Sequence, residues 1–504
     1  MKAAFHTLGC KVNQYETETM IEQFRDAGYE IVNDTEKADV YIINTCTVTN
    51  LADRKSRQFM RRARRINPDA VLAVTGCYAQ IHPEEITAID GVEIVAGTDR
   101  KHSILAMVEE YFARKDVEPG VGIISPSAEM KAGAGSTSGK PETKGGSASS
   151  EAEVNVGTYD TLTEYESLGR IGQMGERTRA FVKIQDGCIN FCTYCIIPYA
   201  RGKLRSRTVE DVVCEVRGLV RNGFREIVLT GINTAFYGRD LGLDGVEPLI
   251  AELDRIEGDF RIRLSSLEPT VIDAAYVQKL LKYDRLCHHL HLALQSGSDQ
   301  ILKAMNRHYD REDFIEIVSV LRNFDPLYGL STDIITGFPG ETERDFHDSE
   351  EIVEKAGFCK VHVFRYSRRE GTPAAEMSGQ IPGDVKQRRS RALMDCAEKA
   401  AGGFFDRCVG DERVVLVERA VKDPITGEDQ GIETGTIKTG TGLDVSGSGG
   451  NQAVTTNSEE ESFVVGYTDN YIKTYIKGDE SLFNEFVRVR LTGRYRDGMR
   501  GIIL

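Results

Sequence analysis

Three thiols follow one another in Asp186-Gly187-Cys188-Ile189-Asn190-Phe191-Cys192-Thr193-Tyr194-Cys195, at the spacing C-x3-C-x2-C. Three thiolates on one tight loop can hold three irons of a [4Fe-4S] cube, which leaves the fourth iron open to an outside ligand. A structural zinc site wants four closed ligands, and no fourth Cys or His follows within the next dozen residues. A disulfide would leave one of the three thiols unpaired and would need an oxidising compartment. The spacing therefore favours an iron–sulfur cluster with an exchangeable corner over a zinc knot or inert thiols. Residues 181–185 read as a strand, so the loop belongs at a strand's carboxyl end.

A second set is scattered in sequence. Residues 3–8, 40–44, 71–75 and 92–96 read as strands between helical segments, one of which carries Met20, Phe24 and Ala27 at helical spacing before Gly28. This alternation predicts an open parallel sheet with helices on its faces. Three of the strands run straight into a thiol, in Leu8-Gly9-Cys10, Asn44-Thr45-Cys46 and Thr75-Gly76-Cys77. Ligands bind outside the carboxyl ends of strands in such sheets, so Cys10, Cys46 and Cys77 are expected to converge. Any one of them alone is an ordinary small buried hydrophobe. Their shared place after a strand makes a second three-cysteine cluster the better reading.

The remaining chain must position both sets. In residues 176–400, strands at 181–185, 226–230, 261–266, 289–294, 331–336 and 361–366 each precede a helical segment, which predicts a partial (β/α)6 barrel. Its strand ends carry Gly231-Ile232-Asn233, Ser265-Ser266-Leu267-Glu268-Pro269, Gln295-Ser296-Gly297-Ser298 and Gly337-Phe338-Pro339-Gly340-Glu341. Such mixed polar groups suit a cofactor with charged and aromatic parts, although the last also reads as a turn opening a helix. Within residues 116–175, the stretch 128–156 is too poor in large apolar residues to offset ordering entropy and is read as a disordered linker. Residues 401–504 carry short strands at 413–418, 463–466, 471–476 and 486–491, which predict a small antiparallel barrel with a flexible insertion at about 421–462.

The chain has 504 residues, eleven of them Cys, and a formal net charge of −15. That length predicts two to four domains, with the first placed at residues 1–115. The net charge argues against nonspecific coating of nucleic acid or anionic membrane. Local patches can override it, because charges beyond about 8 Å are screened. The helix after Cys46 carries Arg54, Lys55, Arg57, Arg61, Arg62, Arg64 and Arg65, and the terminal barrel interleaves tyrosines with Lys473, Arg488 and Arg494. Both read either as phosphate-tracking surfaces or as solvated faces. No apolar run reaches the ~20 residues of a membrane span, and a cytoplasmic location with reduced thiols is expected.

The segments Leu8-Gly9-Cys10-Lys11-Val12-Asn13-Gln14-Tyr15-Glu16, Asn44-Thr45-Cys46-Thr47-Val48-Thr49 and Thr75-Gly76-Cys77, the triad, His291-Leu292-Ala293-Leu294-Gln295-Ser296-Gly297-Ser298 and Asp333-Ile334-Ile335-Thr336-Gly337-Phe338-Pro339-Gly340-Glu341-Thr342 together resemble the radical S-adenosylmethionine (SAM) methylthiotransferases. The match covers nearly the whole chain apart from the linker and the later insertion. It implies an auxiliary [4Fe-4S] cluster on Cys10, Cys46 and Cys77, and a SAM-cleaving [4Fe-4S] cluster on Cys188, Cys192 and Cys195. Asn233, Glu268, Gln295, Ser296 and Gly337 become the expected SAM contacts. Gly231-Ile232-Asn233 departs from the glycine-glycine-glutamate that many radical SAM enzymes use for the methionine amine.

The terminal barrel resembles a TRAM domain, which implies RNA contact through Lys473, Arg488 and Arg494, and the basic helix after Cys46 adds Arg54, Arg57 and Arg61 to the expected RNA-binding residues. Within the family, the sequence around Cys10 and Cys46 is most similar to the branch acting on N6-threonylcarbamoyladenosine at position 37 of tRNA. The branches acting on isopentenyladenosine and on a ribosomal-protein aspartate are the alternatives. Expected partners are the tRNA anticodon loop and an external electron donor of flavodoxin or ferredoxin type, acting on a monomer without a membrane. A noncatalytic iron–sulfur or zinc RNA-binding protein is the reading from another class, and it would need neither an open iron nor a polar barrel rim.

Overall fold

The computed structural model describes residues 1–116, 152–170, 178–421 and 462–504. The remainder of the expected linker and insertion, 117–151, 171–175 and 422–461, lies outside the described residues. The first layer is a parallel sheet of β1 (Lys2–Thr7), β2 (Glu30–Val32), β3 (Val40–Thr45), β4 (Val71–Gly76), β5 (Ile94–Ala96) and β6 (Glu153–Asn155), in the order β2-β1-β3-β4-β5-β6. Helices α1 (Lys11–Asp26), α2 (Asn50–Ile66), α3 (Cys77–Ile81), α4 (Pro83–Thr87) and α5 (Ile104–Asp116) accompany it. The alternation of side chains sorts the core: Val40 and Ile42 pack with Met20, Phe24 and Val108 on one face, Tyr41 and Ile43 with Phe59, Met60 and Ile86 on the other.

Two boundaries differ from the sequence reading. Strand β6 lies inside the stretch assigned to linker, where Glu153 to Asn155 pair in parallel with Ile94 to Ala96. An edge strand of three residues needs backbone pairing on one side only, so it leaves no periodic apolar signature. The chain then crosses to the second layer, where Leu162 and Leu168 are buried and Tyr165 donates to the Lys183 carbonyl at 3.0 Å.

The second layer is the incomplete barrel of β7 (Arg179–Asp186), β8 (Arg205–Ser206), β9 (Glu226–Gly231), β10 (Arg261–Leu264), β11 (Ser266–Leu267), β12 (His289–Leu292), β13 (Gly329–Thr336) and β14 (Lys360–Arg365). Its helices are α6 (Ile197–Arg201), α7 (Val209–Arg221), α8 (Glu247–Asp254), α9 (Ala274–Leu280), α10 (Asp299–Ala304), α11 (Arg311–Phe324), α12 (Glu343–Ala356), α13 (Pro373–Glu376) and α14 (Gly383–Arg407). The strand expected at 261–266 breaks at Ser265, so that β10 closes the sheet β10-β9-β7-β8 and β11 opens the sheet β11-β12-β13-β14. Among the described residues no helix is long and apolar enough to cross a membrane.

Helix α14 runs through the expected boundary at residue 400 into the terminal barrel. Gly402 within it permits close approach: a Cβ there would lie 2.4 Å from the Arg494 guanidinium. That barrel closes as β15 (Glu412–Val421), β16 (Phe463–Thr468), β17 (Lys473–Lys477), β19 (Gly498–Ile503) and β18 (Phe486–Tyr495), with one parallel pair, β17 with β19, in an otherwise antiparallel set.

The joint between the two barrels is polar. Glu226 accepts from Arg261 at 2.6 Å and from Arg263 at 2.8 Å, while those guanidinium groups also donate to the Tyr467 and Thr468 carbonyls. Tyr471 stacks on the buried His289 ring at 4.5 Å. Burial, then the Arg263 charge, holds the His289 imidazole well below its ordinary value, so it folds neutral. Unfolded, it takes up a proton near pH ~6.5. The stability it contributes is complete above that pH and is lost as acidification proceeds toward the folded value. His289→Gln is therefore expected to flatten the loss of thermal midpoint between about pH 7 and about pH 5; an unchanged slope in a pH series of melts would contradict this.

Candidate metal centres

Strand β7 delivers the triad loop through Gly187, whose φ of +72° and whose position, where a Cβ would lie 1.8 Å from the Lys203 carbonyl oxygen, admit only glycine. The loop is pinned from behind by the end of α10: Thr193 donates to Met305 O at 3.0 Å and to Ala304 O at 2.9 Å, and Asn306 donates to Asn190 O at 3.1 Å. Burial pushes the Cys188 thiol up to about 11 and raises Cys192 and Cys195 as well. Each of Cys188 and Cys195 is raised further by the charge of Cys192. Protein surroundings alone keep these thiols protonated. A bound cation is what would release their protons.

The second set also gathers at strand ends. Cys10 is the N-cap of α1, Cys46 follows β3, and Cys77 opens α3 after Gly76, whose φ is +97°. A Cβ on Gly9 would lie 2.9 Å from the Cys46 sulfur. Burial first, then Cys77 and Cys10, pushes the Cys46 thiol up to about 12. Arg201, in the short helix that follows the triad, reaches the second set. Its Nε donates to Cys77 Sγ at 3.2 Å, its Nη1 to Glu16 at 2.6 Å and its Nη2 to Asn13 Oδ1. Cys77 and α1 of the parallel sheet's layer are thus tied to α6 of the partial barrel, the helix that follows the triad loop.

Residues 2–97 match the description Uncharacterized protein family UPF0004, and residues 182–353 match the Radical SAM superfamily. A threonylcarbamoyladenosine tRNA methylthiotransferase of Bacillus subtilis is 40% identical over 97% of this chain and 93% of its own. The chain belongs to the radical SAM methylthiotransferases. A second threonylcarbamoyladenosine tRNA methylthiotransferase, from Aquifex aeolicus, is 37% identical over 83% of this chain and 93% of its own. A tRNA-2-methylthio-N6-dimethylallyladenosine synthase of Acetivibrio thermocellus is 34% identical over 83% and 80%.

The methylthiotransferase's expected SAM contacts separate in the structure. Glu268 receives Asn233 Nδ2 at 2.6 Å, Asn190 Nδ2 and Arg307 Nη1 at 2.9 Å, and Arg307 also donates to Cys192 Sγ at 3.3 Å. Asn233 and Glu268 therefore lie beside the triad. Gln295 adopts a φ of +67° and uses its backbone to bridge Asp333 and Ile335. Ser296 Oγ accepts from its neighbour Ser298 at 3.2 Å, and Gly337 N donates to Glu341 at 2.8 Å, so both serve their own turns. Arg307 escaped the sequence reading because it follows a helix rather than a strand, and Arg201 because its partners belong to another layer.

The cations expected on an RNA face also differ among themselves. Arg54 and Arg61 stand exposed on α2, whereas Arg57 donates to Tyr78 and pairs with Glu85 at 3.2 Å. Lys473 pairs with Asp497 at 2.8 Å, Arg488 with Glu412 at 3.2 Å, and Arg494 with Asp406. Tyr471 sits in the barrel joint and Tyr475 is buried, so neither offers an open ring to a base.

Proposed function

We infer that this methylthiotransferase places a methylthio group on C2 of N6-threonylcarbamoyladenosine at position 37 of tRNA, using SAM and two [4Fe-4S] clusters. The observation that carries the reading is two separate sets of three cysteines, with Cys77 tied through Arg201 to the helix that follows the triad, in a chain 40% identical to a threonylcarbamoyladenosine tRNA methylthiotransferase. Cys188, Cys192 and Cys195 hold the SAM-cleaving cluster, and Cys10, Cys46 and Cys77 the auxiliary one. When bound, these groups supply reductive carbon–sulfur cleavage, hydrogen abstraction, sulfur and the methyl group.

The residues present fit that load. Asn233 Oδ1 is buried without a partner beside the triad, an orphan acceptor suited to the methionine ammonium, while Glu268 adds the balancing charge. Arg307 offsets negative charge at Cys192. Asn233→Ala is expected to raise the KM for SAM by roughly 10-fold or more, as loss of a hydrogen bond to a charged group does. An unchanged KM in a 5′-deoxyadenosine release assay would remove Asn233 from the site.

The target base must leave its stack in the anticodon loop, at a cost of a few kcal/mol that a single-stranded loop keeps low. Arg54 and Arg61 present the exposed charge for its phosphates, with Arg57, Lys473, Arg488 and Arg494 reaching RNA only by sharing their present acidic partners. The protein works as a cytoplasmic monomer fed by a flavodoxin- or ferredoxin-type donor. Mass analysis of tRNA nucleosides from cells with and without the protein tests the reading. Loss of methylthio from threonylcarbamoyladenosine alone is the expected pattern, and loss from dimethylallyladenosine instead would overturn it.

A further inference from the structure

The barrel lumen holds a polar cluster that neither cysteine set uses. Along β12, β13 and β14, Leu290, Leu292, Leu330, Ile334, Val361 and Val363 face the helices. By strand alternation His291, Asp333 and His362 face the lumen. Their ligand atoms all lie within 4.8 Å of one another, with His291 Nε2 3.2 Å from Asp333 and His291 Nδ1 3.0 Å from Ser331 Oγ. All three are half-buried, so they line a space rather than a packed core. Lys11, the residue after Cys10, is solvent-exposed, and its charge is one of those that Asp333 and His362 feel.

An ammonium, two imidazoles and a carboxylate around one space match a group that carries a carboxylate, a hydroxyl and a urea. They mismatch a branched hydrocarbon, which would take water from them and offer none of them a new partner. We propose that Lys11, His291, Asp333 and His362 form the pocket that reads the threonyl end of the substrate, with Lys11 and His362 on its carboxylate. This rests on the threonylcarbamoyladenosine reading above and adds to it the residues that select the substituent.

The test uses the full chain with both clusters and three anticodon stem-loop RNAs, bearing threonylcarbamoyladenosine, its threonyl methyl ester, or dimethylallyladenosine. The wild-type protein is expected to favour the free acid over the ester by roughly 10- to 100-fold in kcat/KM, as a charge-assisted contact would. In Lys11→Met and His362→Phe that preference should shrink to about 3-fold or less, through loss on the acid alone. A wild-type protein that treats acid and ester alike overturns the pocket, and this comparison requires no variant to fold. One zinc or manganese ion per chain that is absent from His362→Phe overturns it too, by making the cluster a metal site. Activity on the dimethylallyl RNA alone would sink the function itself, a different outcome from either.

Discussion

Cys192→Ala protein is expected to release no 5′-deoxyadenosine from SAM and to form no methylthio product, while Cys77→Ala protein still releases 5′-deoxyadenosine but transfers no sulfur. The split follows from geometry. Cys192 lies between Cys188 and Cys195 on a loop pinned by Gly187 and α10, so its loss leaves two ligands where three irons need holding. Cys77 starts a helix on the other layer, and its sulfur accepts from the Arg201 guanidinium on the triad's side. Removing it takes a ligand from the auxiliary set and leaves the triad's own turn intact. Iron counts, with and without each cysteine, and separate assays of the two products check both halves. Methylthio product from the Cys77 variant would end the sulfur-carrying role of that set.

The second large effect is on stability. Glu16 is fully buried in α1 and accepts from Lys101, from Lys183 at 2.7 Å and from Arg201 at 2.6 Å. Asp186, also buried, accepts from Lys183 at 2.6 Å and from Arg201 at 3.3 Å. Burial opposes charge on Glu16, but Arg201, Lys101 and Lys183 together outweigh it and hold the carboxyl well below the usual range. Glu16→Gln leaves three buried cations to a single carboxylate, and breaking such a network costs about 3–5 kcal/mol. The exposed pair Lys279–Asp244, 2.9 Å apart, supplies the contrast, because Asp244→Asn should cost little. Denaturant melts of the two variants decide it; equal shifts would mean that the network is not what joins the layers. Acid works in the same direction. Since the folded carboxyl titrates below its unfolded value, its contribution is present above about pH 4 and fades as pH falls further.

These effects mark what the sequence could and could not reveal. The grouping of the triad was legible because its three thiols share one loop, so their spacing stands in the sequence itself. Cys10, Cys46 and Cys77 were legible for a different reason: each follows a strand, and parallel sheets gather strand ends. Arg201, Arg307 and Glu16 left no such trace, because a buried charge is defined by a partner that only folding supplies. The lumen cluster of His291, Asp333 and His362 was hidden in the same way. Each residue sits in an ordinary strand pattern, and only the register of three strands puts them together. The break at Ser265 and the final strand β19 escaped because neither interrupts a hydrophobic period.

Strand β6 has a consequence for how this protein could be divided. The N-terminal sheet takes its last member from residues 153–155, beyond Asp116, and backbone hydrogen bonds hold that member to β5. A gene split between codons 116 and 152 would therefore yield two polypeptides, the larger carrying the docking segment that the smaller lacks. The pieces should recognise each other by strand donation and co-purify, and the shorter one made alone would expose the flank of β5 as an unsatisfied template.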